Sequence, residues 1–114
     1  MTVSYLNKKG KDVIVQVSNH AILQYRDRWN RVNPEDQITF EEAERRITKY
    51  FSIANRVKNL SGKEQRRIKK YGSGSDTLYF RSCFFTYVVC NGIMTTIELS
   101  DKDLRPLNKP LRIR

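Results

Sequence analysis

The sequence predicts an α+β fold: two N-terminal helices packed on a twisted antiparallel sheet made of a first strand and a C-terminal Asn-Gly hairpin. Three observations carry this. Residues 12–17 (DVIVQV) alternate apolar and polar, as a half-buried strand does. Residues 40–54 repeat apolar side chains at helical spacing behind a Thr39-x-x-Glu42 capping box. Asn91-Gly92 joins two β-branched and aromatic runs, the strongest short hairpin signal.

A chain of 114 residues fits one domain with one core. The expected division is a single domain over 1–114, with an N-terminal segment (1–11), a basic arm and hinge (56–76) and an extended tail (101–114). The tail carries Arg105, Lys109, Arg112 and Arg114 and is punctuated by Pro106 and Pro110. An apolar fraction of 39% with 5 Phe, 6 Tyr and 1 Trp supplies a core.

The first strand, Asp12–Val17, directs Val13, Val15 and Val17 to one face, and Asn7-Lys8-Lys9-Gly10 before it has turn chemistry. Asn19 is the expected cap of a helix from His20 to about Arg31, with Ala21, Ile22, Tyr25 and Trp29 as its core stripe. Its expected wet face holds His20, Gln24, Asp27, Arg28 and Arg31. In the second helix Phe40, Ala43, Ile47, Tyr50, Phe51 and Ala54 form the stripe. The acidic run Glu41, Glu42, Glu44 is self-paired by Glu41–Arg45 and Glu42–Arg46 rather than metal-binding.

Between 56 and 81, Arg56, Lys58, Lys63, Arg66, Arg67, Lys69, Lys70 and Arg81 face only Glu64 and Asp76. Ser61-x-x-Glu64 is a second capping box, compatible with a short helix over 63–71, a strand or an arm. Gly72-Ser73-Gly74-Ser75-Asp76 has hinge composition and no phosphate-loop signature. Thr77–Arg81 is a third strand. A two-residue turn at Asn91-Gly92 predicts the pairs Cys90–Ile93, Val88–Thr95, Thr86–Ile97 and Phe84–Leu99 facing the helices. Tyr87, Thr96 and Glu98 are then left on an open polar face.

Lys plus Arg number 22 against 12 Asp plus Glu, a net charge of +10. That excess points to a polyanionic partner, and composition alone leaves nucleic acid, an anionic membrane and an acidic protein open. With no signal-peptide pattern and no spanning apolar run, a cytoplasmic chain without a membrane partner is expected. Cys83 and Cys90 lie too far apart along one expected strand to pair. One histidine and no Cys-x-x-Cys give no zinc or two-metal pattern, so neither metal nor cofactor is expected.

Metal-free RNA cleavage needs a base, an acid and cations around the phosphate. His20, Arg26, Arg28, Tyr87 and Glu98 have that chemistry, and the competing reading makes them capping, packing or phosphate-positioning groups. Arg31, Lys58, Lys63, Arg66, Arg67, Lys69, Lys70, Tyr71 and Arg81 are the candidate nucleic-acid contacts, with aromatic rings interleaved among the cations.

The strand followed by His20-Ala21-x-x-x-Tyr25-Arg26-x-Arg28, the second helix, and the hairpin Phe84-Phe85-Thr86-Tyr87-Val88-Val89-x-Asn91-Gly92-x-x-Thr95-Thr96-Ile97 resemble the RelE/ParE-like, barnase-related small bacterial ribonuclease toxins. The resemblance spans about residues 12–99. It implies metal-independent endoribonuclease activity, RNA as substrate, ribosome-associated or free, and a neutralising acidic partner protein. It matches His20 and Arg26 or Arg28 to family positions, and Thr96 to the polar position near the hairpin's end. Three readings stay open: a toxin-like RNA-binding ribonuclease, a non-catalytic nucleic-acid-binding or regulatory module, and a phage or defence-system protein-interaction module.

Overall fold

A computed structural model describes residues 1–58 and 77–100. Within them the chain forms β1 (Thr2–Leu6), β2 (Asp12–Val17), α1 (Asn19–Val32), α2 (Phe40–Phe51), β3 (Asn55–Val57), β4 (Thr77–Ser82), β5 (Phe85–Cys90) and β6 (Ile93–Leu99). The strands make one six-stranded sheet in the order β1-β2-β6-β5-β4-β3. The α+β class holds, with corrections: two strands precede the helices, and the sheet is mixed because β2 runs parallel to β6. The 1–11 segment supplies β1, antiparallel to β2, with Val3 opposite Val15 and Tyr5 opposite Val13. The capping box at Ser61, the segment 63–71, the hinge 72–76 and the tail 101–114 lie outside the described residues.

Both helices begin where a hydroxyl satisfies an orphan amide. For α1 the cap is Ser18 rather than Asn19, its Oγ accepting the Ala21 N–H at 3.0 Å. For α2 it is Thr39, accepting the Glu42 N–H at 3.2 Å. The predicted stripes are the buried ones: Ala21, Ile22, Tyr25 and Trp29 on α1, Ala43, Ile47, Tyr50 and Phe51 on α2. Glu42–Arg46 forms as expected, but Arg45 pairs with Glu42 instead of Glu41.

The Asn91-Gly92 turn has the expected positive φ at both residues, +52° and +76°. Beyond it the expected register fails. A bulge opposite Val88/Val89 makes Thr95 an extra residue: Val89 pairs with Met94, but Val88 pairs with Thr96, Tyr87 with Ile97, Thr86 with Glu98 and Phe85 with Leu99. One inserted residue reverses which face of β5 matches which face of β6 beyond it. Phe85, Tyr87, Val89, Met94, Ile97 and Leu99 therefore join the helix-side core. Thr86, Val88, Thr96 and Glu98 occupy the other face, and Tyr87 is not on an open patch.

The sheet is strongly curled. Three strands separate β1 from β4, which on a flat sheet would place them about 19 Å apart. Instead the rings of Tyr5 and Phe80 meet at 4.9 Å between centroids. Phe51 at the end of α2 packs edge-on to Phe80 at 5.0 Å and to Tyr87 at 5.5 Å, filling the inside of the curl. The β4–β5 connection is a two-residue turn of Cys83 (φ +48°) and Phe84 (φ +77°), a left-handed pair that usually takes Asn and Gly. Cys83 thus lies in a turn rather than a strand, and both cysteines are free.

Candidate nucleic-acid interface

Two regions collect the polar chemistry, one along the edge of β6 and one inside the curl. At the first, β2 pairs with β6 only at Gln16–Ile93 and Val17–Met94 before the chain turns into α1. The helix then lies along the strand edge that β2 has left. Gln24 replaces the missing strand, its Oε1 accepting the Ile97 N–H at 2.9 Å. One turn on, Arg28 donates Nε and Nη2 to the two carboxylate oxygens of Glu98, at 2.6 and 2.9 Å. Gln24 is buried by this role, against the expectation of a wet position. His20 sits exposed in the first turn, four residues before Gln24, so His20, Gln24 and Arg28 share one helical line. Arg31 follows, exposed, in the last turn.

Across the sheet from Glu98 stands Thr86, and across from Thr86 stands Arg81. The Thr86 and Ser100 hydroxyls lie 3.2 Å apart, and Arg81 Nε reaches Thr86 Oγ1 at 3.5 Å. Thr96 is buried on this face, its hydroxyl without a partner among the described residues. Of the six candidate catalytic residues, the structure brings Arg28 and Glu98 into contact and places Thr96 on the face of Glu98. It aligns His20 with Arg28 on α1. Arg26 points elsewhere and pairs with Asp27 at 2.9 Å.

Tyr87 is on the opposite face of the sheet. Burial pushes its phenol well above the usual tyrosine value, with Cys83 and Tyr50 adding to the shift and the Ser82 hydroxyl opposing it. The Ser82 hydroxyl near it donates to the Tyr50 carbonyl at 2.5 Å, and the phenol completes no hydrogen bond of normal geometry among the described residues. A neutral, enclosed phenol cannot exchange a proton with substrate. Both oxygens of the Glu98 carboxylate are engaged by Arg28, a bidentate pairing that ties α1 to β6. The expected catalytic set therefore does not assemble around one point.

The second region is a groove of about 1000 Å³ inside the curl. One wall is β1 and its turn (Ser4 to Lys9), the other β3 and β4, with Phe51 and Ser52 of the α2 end between them. Lys8, Lys9, Arg56 and Lys58 line it, all exposed, and among the described residues no carboxylate does. The local sequence explains their placement. Asn7 Oδ1 accepts the N–H groups of Lys9 (2.9 Å) and Lys11 (3.0 Å), and Gly10 takes φ +74°, so a side-chain-bonded turn holds Lys8 and Lys9 at the tip. On β3, Arg56 pairs with Phe80 and shares its face, while Asn55 and Val57 point the other way.

Among the described residues, Lys58 is thus the one predicted nucleic-acid contact that lines the groove. Arg81 faces the other side of the sheet, beside Thr86, and Arg31 is at the far end of α1. Lys63, Arg66, Arg67, Lys69, Lys70 and Tyr71 lie outside the described residues. Tyr5, Lys8, Lys9 and Arg56 were not singled out as contacts. Their signals were the turn chemistry at Asn7–Gly10 and the basic run beginning at Arg56.

The chain matches no protein-family model, no curated protein and no solved structure. Among the described residues, no three His, Cys, Asp or Glu side chains are grouped to hold a metal ion. No described helix is long and apolar enough to cross a membrane.

Proposed function

We propose that this chain is an RNA-binding domain that holds the sugar–phosphate backbone along the groove inside its curled sheet. The observation that carries the reading is the composition of that groove: Lys8, Lys9, Arg56 and Lys58 around aromatic and small polar residues, with no acidic side chain among the described residues of the lining. Four cations converging on a concave, partly apolar surface are complementary to a polyanion whose linked units also carry rings. Major-groove reading by a helix fits less well, because it needs an exposed basic helical face. On α2 the outer residues alternate in sign, with Glu41 and Glu44 beside Arg45 and Lys49, and on α1 Arg26 and Arg28 are already paired.

The test is the salt dependence of RNA binding. Each phosphate neutralised on a single strand contributes about 0.7 to the slope of log K against log salt. Lys8→Gln with Lys9→Gln should therefore flatten the slope by about 1.4 and weaken binding to all sequences alike. An unchanged slope would remove the β1–β2 turn from the interface.

A second reading keeps cleavage. It is favoured by the exposed imidazole of His20 at the start of α1, on the helical line that seats α1 against β6. In this reading His20 takes or gives the proton, the groove positions the strand, and an acidic protein filling the same groove would neutralise the activity.

A further inference from the structure

The groove has a floor as well as a charged rim, and the two are chemically different. Lys8 and Lys9 stand on one wall and Arg56 and Lys58 on the other, while Tyr5, Leu78, Phe51 and Phe80 lie at the bottom. Phe51 and Phe80 are buried, and Tyr79, which also lines the groove, stands on the opposite face of β4 from Phe80, which leaves Tyr5, among the described residues, as the half-buried ring on the floor that a ligand can reach. Tyr5 is held from one side by Phe80, centroids 4.9 Å apart and planes tilted by 49°, so its orientation is set before anything binds.

We infer that this groove takes an unpaired stretch of RNA, with phosphates on the two basic walls and a base stacked against Tyr5. The inference rests on the RNA-binding reading above and adds the strand state of the ligand. In a duplex the bases stack on one another and the phosphates face outward on a convex surface. Such a ligand reaches the rim lysines and leaves the floor empty. An unpaired strand can turn its bases inward, where burial against an aromatic and aliphatic floor adds to the contacts at the rim. The volume, about 1000 Å³, is at the upper end of the range for enclosed small ligands, roughly 300–1000 Å³, and suits a short run of linked nucleotides. A site for a lone phosphate would need the cations and no aromatic floor.

Fluorescence anisotropy with three probes tests this: a single-stranded oligoribonucleotide of about eight nucleotides, an abasic ribose-phosphate oligomer of the same length, and the blunt RNA duplex. The base-bearing strand should bind about 5- to 150-fold tighter than the abasic oligomer, the equivalent of one stacked base. In Tyr5→Leu that ratio should collapse towards one, and in Tyr5→Phe, which keeps the ring, it should persist. Abasic or duplex RNA binding as tightly as the single strand would overturn the inference and leave the RNA-binding reading standing. Failure of all three probes to bind would overturn both. The comparison of probes on the unaltered chain decides the matter even if Tyr5→Leu does not fold.

Discussion

Arg28→Met should destabilise the domain by about 3 kcal/mol, and the figure follows from where its partner sits. The Glu98 side chain is 7% exposed and that of Arg28 19%. Removing one member of a buried ion pair leaves an uncompensated charge and costs about 3–5 kcal/mol. Water reaches the Arg28 end, which places the expectation at the lower limit, and methionine preserves most of the apolar stem. For a domain of this size that is a fall in Tm of about 12 °C. Glu98→Gln alone should cost less, because the neutral amide keeps an acceptor for Arg28. The double variant should be more stable than additivity predicts by about 1 kcal/mol or more. Urea unfolding at neutral pH measures all four corners of the cycle, with Arg26→Met, which breaks the exposed pair with Asp27, as a control expected within about 0.5 kcal/mol of the parent. Strict additivity would refute the reasoning: Glu98 would not face Arg28, and the register beyond the Thr95 bulge would be wrong.

Tyr87→Phe removes a buried hydroxyl that completes no hydrogen bond of normal geometry among the described residues. It should be neutral or stabilise by up to about 1 kcal/mol, with RNA affinity unchanged; a clear loss of stability in the same urea assay would show that the hydroxyl is engaged. Hydrogen bonds from Arg45 and then Arg46 hold the Glu42 carboxylate down, from an ordinary value of 4.5 to about 2. Its contribution is therefore complete above pH 4.5 and is lost as the pH falls through about 2. The stability gap between the parent chain and Glu42→Gln should shrink across that window in thermal melts, and a constant gap would refute the assignment. If the chain cleaves single-stranded RNA in EDTA, His20→Ala should slow it by about 10²–10⁴-fold on a gel assay. Equal cleavage by the two would place the chemistry elsewhere.

The helices were legible because their signals are local. Thr39-x-x-Glu42 and the Phe40–Phe51 stripe specify a cap and a buried face without reference to the rest of the chain. The sheet was legible in its turn and not in its faces. Asn91-Gly92 sets the first two pairs correctly, but Thr95 carries no mark of an extra residue, since threonine suits either strand face. The bulge is decided by what Ile97 and Leu99 gain on joining Phe85 and Tyr87 in the core, a tertiary effect that a pattern of alternation cannot report. The Cys83-Phe84 turn was hidden for a related reason, as neither residue type advertises positive φ. The candidate site suffered most: Tyr87 and Glu98, expected on one face, lie on opposite faces, and the groove depends on curling that brings β1 against β4 across three intervening strands.

Two groups of four stand out among the cations of the described residues, and the contrast between them bears on why the chain tolerates a net charge of +10. Arg26, Arg28, Arg45 and Arg46 each have a carboxylate partner, and Arg46 also lies over the Trp29 ring at 4.6 Å. These arginines hold the helices to themselves and to the sheet, where a planar multi-donor group is useful. Lys8, Lys9, Arg56 and Lys58 are exposed around one groove that no carboxylate of the described residues lines. Solubility alone would favour both signs interspersed over the surface. Gathering like charges around a concavity raises the free energy of the empty state, and no packing requirement in β1 or β3 demands it. The same arrangement becomes favourable once an anionic chain lies between the walls, which is why the groove, rather than the paired Arg28 and Glu98, is where the function is placed.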